Sequence, residues 1–321
     1  MLGVWLADVC CISGMVSELK FSVPWGHIAA KAWGSPQGRP VLCLHGWLDN
    51  ANTFNRLIPL LPKDYCYMAM DFGGHGLSSH RPAGFPYHFL DYVSEVCRVT
   101  AALKWSRFTL MGHSLGGSVA GMFSCIFPEM VDKLILVESC GFFPAPQESD
   151  MWLDSKRKVI ESLLSLEENK PQPPKVRSPQ EALQRLLQAN SHLTEESGRI
   201  LLQRGATEVM GGMVYNRDLR VLTLQHNQDA LTLEQCSRFL REIQASVLMI
   251  MPYPGWVVHW RADLNKKPVH VWKEAFQSNL KHRFQLAEVT GNHFVHLNEP
   301  EVVAGIINAF LKRDQSSKAR L

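Results

Sequence analysis

The chain has 321 residues, of which 46% are apolar, 20% charged and 9% aromatic, and this composition excludes collagen-like, disordered and coiled-coil architectures. Its 33 basic and 30 acidic residues leave a net charge of +3, spread along the chain. No basic stripe or acidic tail points to nucleic acid as a partner.

The first fifteen residues are apolar, but the first lysine is Lys20 and Asp8 interrupts the run. That stretch lacks the basic start of a secretory signal and is shorter than the about 20 residues of a membrane span, so neither is expected. Met15 is a second candidate start, and residues 1–16 read as an N-terminal extension. Alternating residues at 19–23 and 27–32, joined by Pro24-Trp25-Gly26, predict an antiparallel hairpin. Short continuous apolar runs follow at 41–44, 66–70, 108–111, 134–137, 247–251 and 284–289. They alternate with helix-period stretches at 93–103 and 116–125, and 302–310 supplies a last amphipathic helix. This alternation predicts an α/β fold with a mostly parallel twisted sheet flanked by helices. There is no internal repeat.

Residues 142–244 break the rhythm, with polar helical patterns interrupted by Pro171-Gln172-Pro173-Pro174 and amphipathic stretches at 181–189 and 197–204. We read them as a helical cap inserted into a core made of 17–141 and 245–312, over the sheet edge where open α/β sheets bind ligands. A helical subdomain with no part in binding is the alternative. The tail, 313–321, is polar and ends in Ala319-Arg320-Leu321, a conservative variant of the Ser-Lys-Leu peroxisomal address. It predicts a peroxisomal import receptor as a partner and a peroxisomal or cytoplasmic location. The eight cysteines, Cys10, Cys11, Cys43, Cys66, Cys97, Cys125, Cys140 and Cys236, form no C-x-x-C pair. They read as reduced, packed thiols of an intracellular protein.

Chemistry-bearing motifs sit at the ends of the apolar runs. Gly112-His113-Ser114-Leu115-Gly116-Gly117 follows the run 108–111 and opens a helical stretch. G-x-S-x-G in that setting is the nucleophile elbow, which lifts a serine above the sheet in a strained conformation. Gly112 and Gly116 are required because neighbouring backbone passes too close for a Cβ. A plain serine in a glycine-rich turn is the alternative, and the flanking strand and helix speak against it. Cys43-Leu44-His45-Gly46-Trp47-Leu48-Asp49 ends the earlier run at 41–44. Acyl transfer creates an oxyanion that needs preorganised backbone N–H donors. Leu115, after the serine, offers one, and Trp47 in the early loop is the candidate for the other. His45, with Gly46, reads as fixing that loop.

Val289-Thr290-Gly291-Asn292-His293-Phe294-Val295-His296 follows the last strand. His293 lies downstream of the serine on a loop at the same edge, as a general base should. His296 makes an H-x-x-H pair with it, but no cysteine or carboxylate cluster completes a metal site, and none is expected. Asp71-Phe72-Gly73-Gly74-His75-Gly76-Leu77-Ser78 reads as a glycine-rich turn in which Asp71 holds backbone amides. It has no lysine and is no phosphate loop.

With these motifs in this order, the chain from about residue 17 to 310 resembles the α/β-hydrolase fold superfamily. Within it, the wording of His45-Gly46-Trp47-Leu48-Asp49-Asn50, of 71–79 and of 291–300 resembles the serine hydrolase-like group. The resemblance implies a Ser114 nucleophile, a His293 base, an oxyanion hole at Trp47 and Leu115, and a helical cap. It also implies a peroxisomal and perinuclear cytoplasmic location.

The third triad member departs from the pattern. Hydrolases of this fold usually carry the acid shortly after the strand at 247–251, where this chain reads Pro252-Tyr253-Pro254-Gly255-Trp256-Val257-Val258. Asp263 is the first acid beyond it, and Glu138, at the tip of 134–137, is the rival. Some hydrolases recruit the acid from that earlier strand, and we place Glu138 ahead. The acid sets the histidine tautomer, and its loss costs a serine protease about 10⁴ in turnover. The expected activity is hydrolysis of a small-molecule carboxylic ester or thioester through an acyl-enzyme on Ser114, with no metal or organic cofactor. The competing reading is a catalytically impaired binding protein with an incomplete triad. Epoxide hydrolase and dehalogenase chemistry, which needs a carboxylate at the elbow, is excluded by Ser114.

Overall fold

Apolar runs too short for helices, bounded by glycine or acid, become strands; 41–44, 66–70, 108–111, 134–137 and 247–251 are buried, whereas 284–289, at the sheet edge, is only partly so. The computed structural model describes residues 7–12, 16–142, 149–168, 174–226, 231–255 and 268–313. Asp263 and the tripeptide Ala319-Arg320-Leu321 lie outside them. In chain order the strands are β1 (Ala7–Ile12), β2 (Val16–Val23), β3 (Gly26–Trp33), β4 (Arg39–Leu44), β5 (Tyr65–Met70), β6 (Phe108–His113) and β7 (Val131–Val137). Two short strands, β8 (Ala206–Val209) and β9 (Gly212–Tyr215), precede β10 (Ser246–Tyr253) and β11 (Phe284–Thr290).

The described residues form a nine-stranded sheet in the order β1-β2-β3-β5-β4-β6-β7-β10-β11. Pairing is antiparallel from β1 through β5 and parallel from β5 through β11. The expected hairpin is β2–β3, closed at Val23↔Gly26. A difference appears before it. The segment read as an N-terminal extension supplies the edge strand β1, paired from Ala7↔Phe21 to Ile12↔Val16. Its sequence, ADVCCI, has no polar–apolar alternation to announce a strand.

Strand residues alternate between two cores. Leu42, Leu44, Met68, Met70, Leu134 and Leu136 face one side, where they meet Val96 and Val99 of α1 (Phe89–Ala102) and Val119 and Phe123 of α2 (Leu115–Ile126). Val41, Cys43, Tyr67, Ala69, Ile135 and Val137 face the other. Within the insertion lie α3 (Ser149–Glu168), α4 (Pro179–Ala189), α5 (Glu195–Gly205) and α6 (Leu233–Phe239). After β10 come α7 (Pro268–Leu280), α8 (Val295–Asn298) and α9 (Pro300–Lys312). Helix α7 adds Phe276 and Leu280 to the first core. Val303, Ile307 and Phe310 of α9 close the second, together with Phe54 and Leu57. No described helix is long and apolar enough to cross a membrane.

Among the described residues between β7 and β10, the regular elements are helical apart from the β8–β9 hairpin, whose partly exposed strands carry no apolar run to signal them. Its last helix, α6, buries Cys236 in the first core beside Leu240. Cys43, Cys66, Cys125 and Cys236 are free thiols, and burial raises the pKa of each.

The topology also locates a crevice. From β4 the chain passes to β5 on one side, then returns across to β6 on the other. Connections diverge between β4 and β6, and the C-terminal end of such a switch point is where open sheets bind ligands. Leu44↔Gly112, His113↔Val137 and Ile250↔Val137 are in register, so the loops after β4, β6, β7 and β10 start side by side.

One buried charge ties the second core together. Lys133 of β7 is 4% exposed, and its Nζ donates to the carbonyls of Phe310 at 3.0 Å and Leu311 at 3.3 Å. These carbonyls end α9, where a cation also meets the negative pole of the helix. Replacing the ammonium leaves buried acceptors unmade. Lys133→Met is therefore expected to lower stability by about 1–3 kcal/mol in urea unfolding; an unchanged midpoint would contradict this role.

Candidate active site

Ser114 stands between β6 and α2 with φ 51° and ψ −118°, a left-handed conformation that a non-glycine residue adopts only when its surroundings enforce it. The enforcement is steric. A Cβ on Gly112 would lie 2.3 Å from the Gly116 carbonyl oxygen, and one on Gly116 would lie 2.2 Å from that of Leu44. Only glycines let α2 approach β4 so closely. The Ser114 amide donates to the Val137 carbonyl at 3.1 Å, which seats the turn on the neighbouring strand. Helix α2 then runs away from the serine, with its positive pole beneath it.

The loop after β4 is held by neutral histidines. His45 is fully buried. Its Nδ1 donates to the Gly46 carbonyl at 2.7 Å, and its Nε2 accepts from the Phe72 amide at 3.0 Å. Burial lowers its pKa to about 3, so the ring stays neutral and fixes the loop. His75 acts on the same loop. Its Nδ1 donates to the Gly73 carbonyl, and its Nε2 accepts from the Leu48 amide at 3.3 Å. Leu48 has φ 62°, and the twist there turns the preceding peptide. The Trp47 indole donates to the Val221 carbonyl at 2.9 Å. No described group accepts the Trp47 amide, and Leu115 opens α2, where an N–H has no carbonyl a turn behind it. Both amides are thus available to an oxyanion.

His293 lies on the loop after β11, braced from three sides. Asn292 Oδ1 accepts from the Phe294 amide and from Asn298 Nδ2, each at 3.0 Å. Asn292 Nδ2 donates to the His192 carbonyl in the insertion at 2.9 Å. From below, His113 Nε2 donates to the His293 carbonyl at 2.8 Å. The His293 ring is 15% exposed, and its Nδ1 lies 3.4 Å from Oε2 of Glu138, whose side chain is fully buried. Glu138 follows β7 at φ 48°, and its amide donates to the Ile250 carbonyl at 2.9 Å. The loop after β10 bears no carboxylate in its described part. Instead it brings Gly255 so close that a Cβ would fall 2.5 Å from Glu138 Oε1. Ser114, His293 and Glu138, which follow β6, β11 and β7, therefore share one edge of the sheet, while the rival Asp263 is outside the described residues.

Other partners were not legible in the motifs. Asp71 accepts from the Ala51 and Leu77 amides, each at 2.8 Å, as its turn predicts. It also receives Nε of Arg204 from α5 at 2.7 Å, and the same guanidinium reaches Glu18 of β2 at 2.7 Å. Asn50 and Asn52 donate to the Leu201 and Ile200 carbonyls. The insertion is thereby bonded to the loop that carries Trp47. A cavity of about 570 Å³ opens between α3 and the turn Leu219–His226, lined partly by Val159, Leu166, Leu219 and Leu222. It neighbours Val221, which holds the Trp47 indole.

The H-x-x-H pair is separated by the fold. His296 turns inward, its Nε2 2.8 Å from Thr53 Oγ1, and groups with His113 and Asp49 rather than with His293. Burial lowers the pKa of His296 to about 3 and that of His113 well below the usual range. It raises that of Asp49 to about 7.

Residues 39–300 match the family model for the alpha/beta hydrolase fold. The chain is 52% identical over 300 residues to the mouse (Mus musculus) serine hydrolase-like protein, covering 93% of this chain and 96% of the relative. It is 52% identical over 308 residues to human (Homo sapiens) serine hydrolase-like protein 2, covering 96% and 98%. Among solved structures, a hypothetical protein of Pseudomonas aeruginosa superposes with a TM-score of 0.77 at 28% identity, over 92% of this chain and 99% of that one. A thioesterase domain from the curacin biosynthetic pathway shares the fold, with a TM-score of 0.75 at 24% identity and the same coverages.

The buried ion pair between Arg204 and Asp71 carries a direct consequence. Arg204→Met strands a fully buried carboxylate, and the expected cost is about 3–5 kcal/mol. Thermal unfolding reads the loss, and limited proteolysis should cut the insertion first. An unchanged melting temperature would show that the pair does not hold the insertion.

Proposed function

The chain belongs to the alpha/beta hydrolase fold family, and we propose that it is a serine hydrolase that cleaves a carboxylic ester or thioester through an acyl-enzyme on Ser114. The observation that carries this reading is the buried Glu138 carboxylate 3.4 Å from His293 Nδ1, one strand away from the strained serine. A carboxylate there keeps the proton on Nδ1 and leaves Nε2 as the base. His293 takes the Ser114 hydroxyl proton as Oγ attacks the substrate carbonyl carbon. The carbonyl electron pair moves onto oxygen, where the Trp47 and Leu115 amides stabilise it. Collapse expels the alkoxide or thiolate, which leaves with the proton from His293. Water then attacks the acyl-serine, giving its proton to His293, and the carboxylic acid departs as Ser114 regains its hydrogen. No metal or organic cofactor enters these steps.

A fluorophosphonate probe is expected to label the wild-type chain and to leave Ser114→Ala unlabelled; equal labelling of both would sink the assignment. In an ester panel, Glu138→Gln should lower turnover on the order of 10⁴-fold with Asp263→Asn unchanged. The reverse outcome would move the acid to Asp263.

A further inference from the structure

Beneath the elbow, polar atoms converge that the hydrolytic mechanism does not use. Asp49 comes from the loop after β4, His113 ends β6, and His296 belongs to α8. The two histidines are 0% exposed and Asp49 5%. Asp49 Oδ2 lies 3.9 Å from His113 Nδ1, the two imidazole centroids are 4.1 Å apart, and one donor atom from each of the three residues lies within 4.8 Å of the others.

Their protonation follows from their outer partners. A carbonyl can only accept, so the bond from His113 to the His293 oxygen puts the proton on Nε2 and leaves a lone pair on Nδ1. His296 Nε2 lies 2.8 Å from the Thr53 hydroxyl, which can accept a hydrogen bond from Nε2–H and so allows Nδ1 to keep its lone pair. Asp49 accepts the Asn50 amide on Oδ1, and its carboxyl also meets the Thr53 side chain. His113 Nδ1, His296 Nδ1 and Asp49 Oδ2 are each buried without a hydrogen-bond partner.

We propose that Asp49, His113 and His296 form a buried binding site for one divalent transition-metal ion of the zinc class. Each histidine already has its second ring nitrogen tied to an oxygen, the outer-shell arrangement that orients metal-binding imidazoles. Two imidazole nitrogens with one carboxylate favour zinc, cobalt or nickel over magnesium or calcium. Ligand bonds of about 2.0–2.2 Å place donor atoms roughly 3.3 Å apart around a tetrahedral ion. The separation of 3.9 Å between Asp49 and His113 closes to that value with a small side-chain rotation. The ion would join the Trp47 loop, the elbow strand and α8. Through His113 it would also hold the carbonyl of His293. It lies behind the elbow and takes no part in the acyl transfer.

The test uses the full chain, stripped with a chelator and dialysed against Zn²⁺ or Co²⁺. The wild type is expected to retain about one ion per chain by plasma mass spectrometry and to melt higher when loaded. The Co²⁺ form should show the visible absorption of a nitrogen- and oxygen-ligated ion. Asp49→Asn and His296→Gln should bind at least about tenfold more weakly, whereas His282→Gln, an exposed histidine, should bind as the wild type does. Circular dichroism of the metal-free variants separates lost ligation from lost folding. A wild-type chain with no ion above background and no cobalt band would overturn the proposal, and would assign the three atoms to a buried water or a proton shared by Asp49 and His113. So would folded Asp49→Asn and His296→Gln variants that retain full binding.

Discussion

The approach of α2 to β4, where nothing larger than a hydrogen fits between Gly116 and the Leu44 carbonyl, is the constraint on which the site rests. A Cβ at Gly116 would fall 2.2 Å from that oxygen, so helix and strand meet only because both flanks of Ser114 are glycine. With α2 pressed down, Ser114 has one backbone conformation open to it, at φ 51°. Its amide then reaches the Val137 carbonyl, and the next residue on β7 is Glu138. Ser114 and Glu138 are thus placed relative to one another by a single register between β6 and β7.

Around this turn the protein uses burial to keep histidines neutral. His45 and His75 sit where water does not reach, and each is lowered to about 3. Their ring nitrogens therefore act as fixed donors and acceptors that shape the loop carrying Trp47. His293 differs from them in its partial exposure and its carboxylate neighbour. The same residue type thus serves as buried scaffold at positions 45 and 75, while His293 stands partly exposed at the sheet edge.

Charges taken out of water are paired across the insertion. Arg204 spans Asp71 and Glu18, joining α5 to the loop after β5 and to β2. Helix α6 sinks Cys236 into the main core, so one end of the insertion is anchored by packing and another by ions. The insertion also supplies the His192 carbonyl to Asn292, the neighbour of His293, which makes it part of what positions the His293 loop.

The parallel strands, the helices α1, α2 and α9, and the strand-end positions of Ser114, His293, Trp47 and Leu115 were legible in the chain. Local patterning writes them: a buried run between turn residues is a strand, and glycines two residues either side of a serine report a close approach. β1 and the β8–β9 hairpin were not legible, because ADVCCI has no alternation and partly exposed four-residue strands carry no apolar run. The choice between Glu138 and Asp263 was equally open, since residues far apart in sequence meet at distances that spacing does not encode. Only the fold puts Glu138 3.4 Å from His293, binds Arg204 to Asp71, and turns His296 away from His293 toward Asp49 and His113. The sequence determined which segments are strands and which serine stands at a turn, because those depend on neighbours along the chain. The tertiary structure placed Glu138 beside His293, and His296 beside Asp49 and His113, because such meetings depend on how the strands are ordered and aligned.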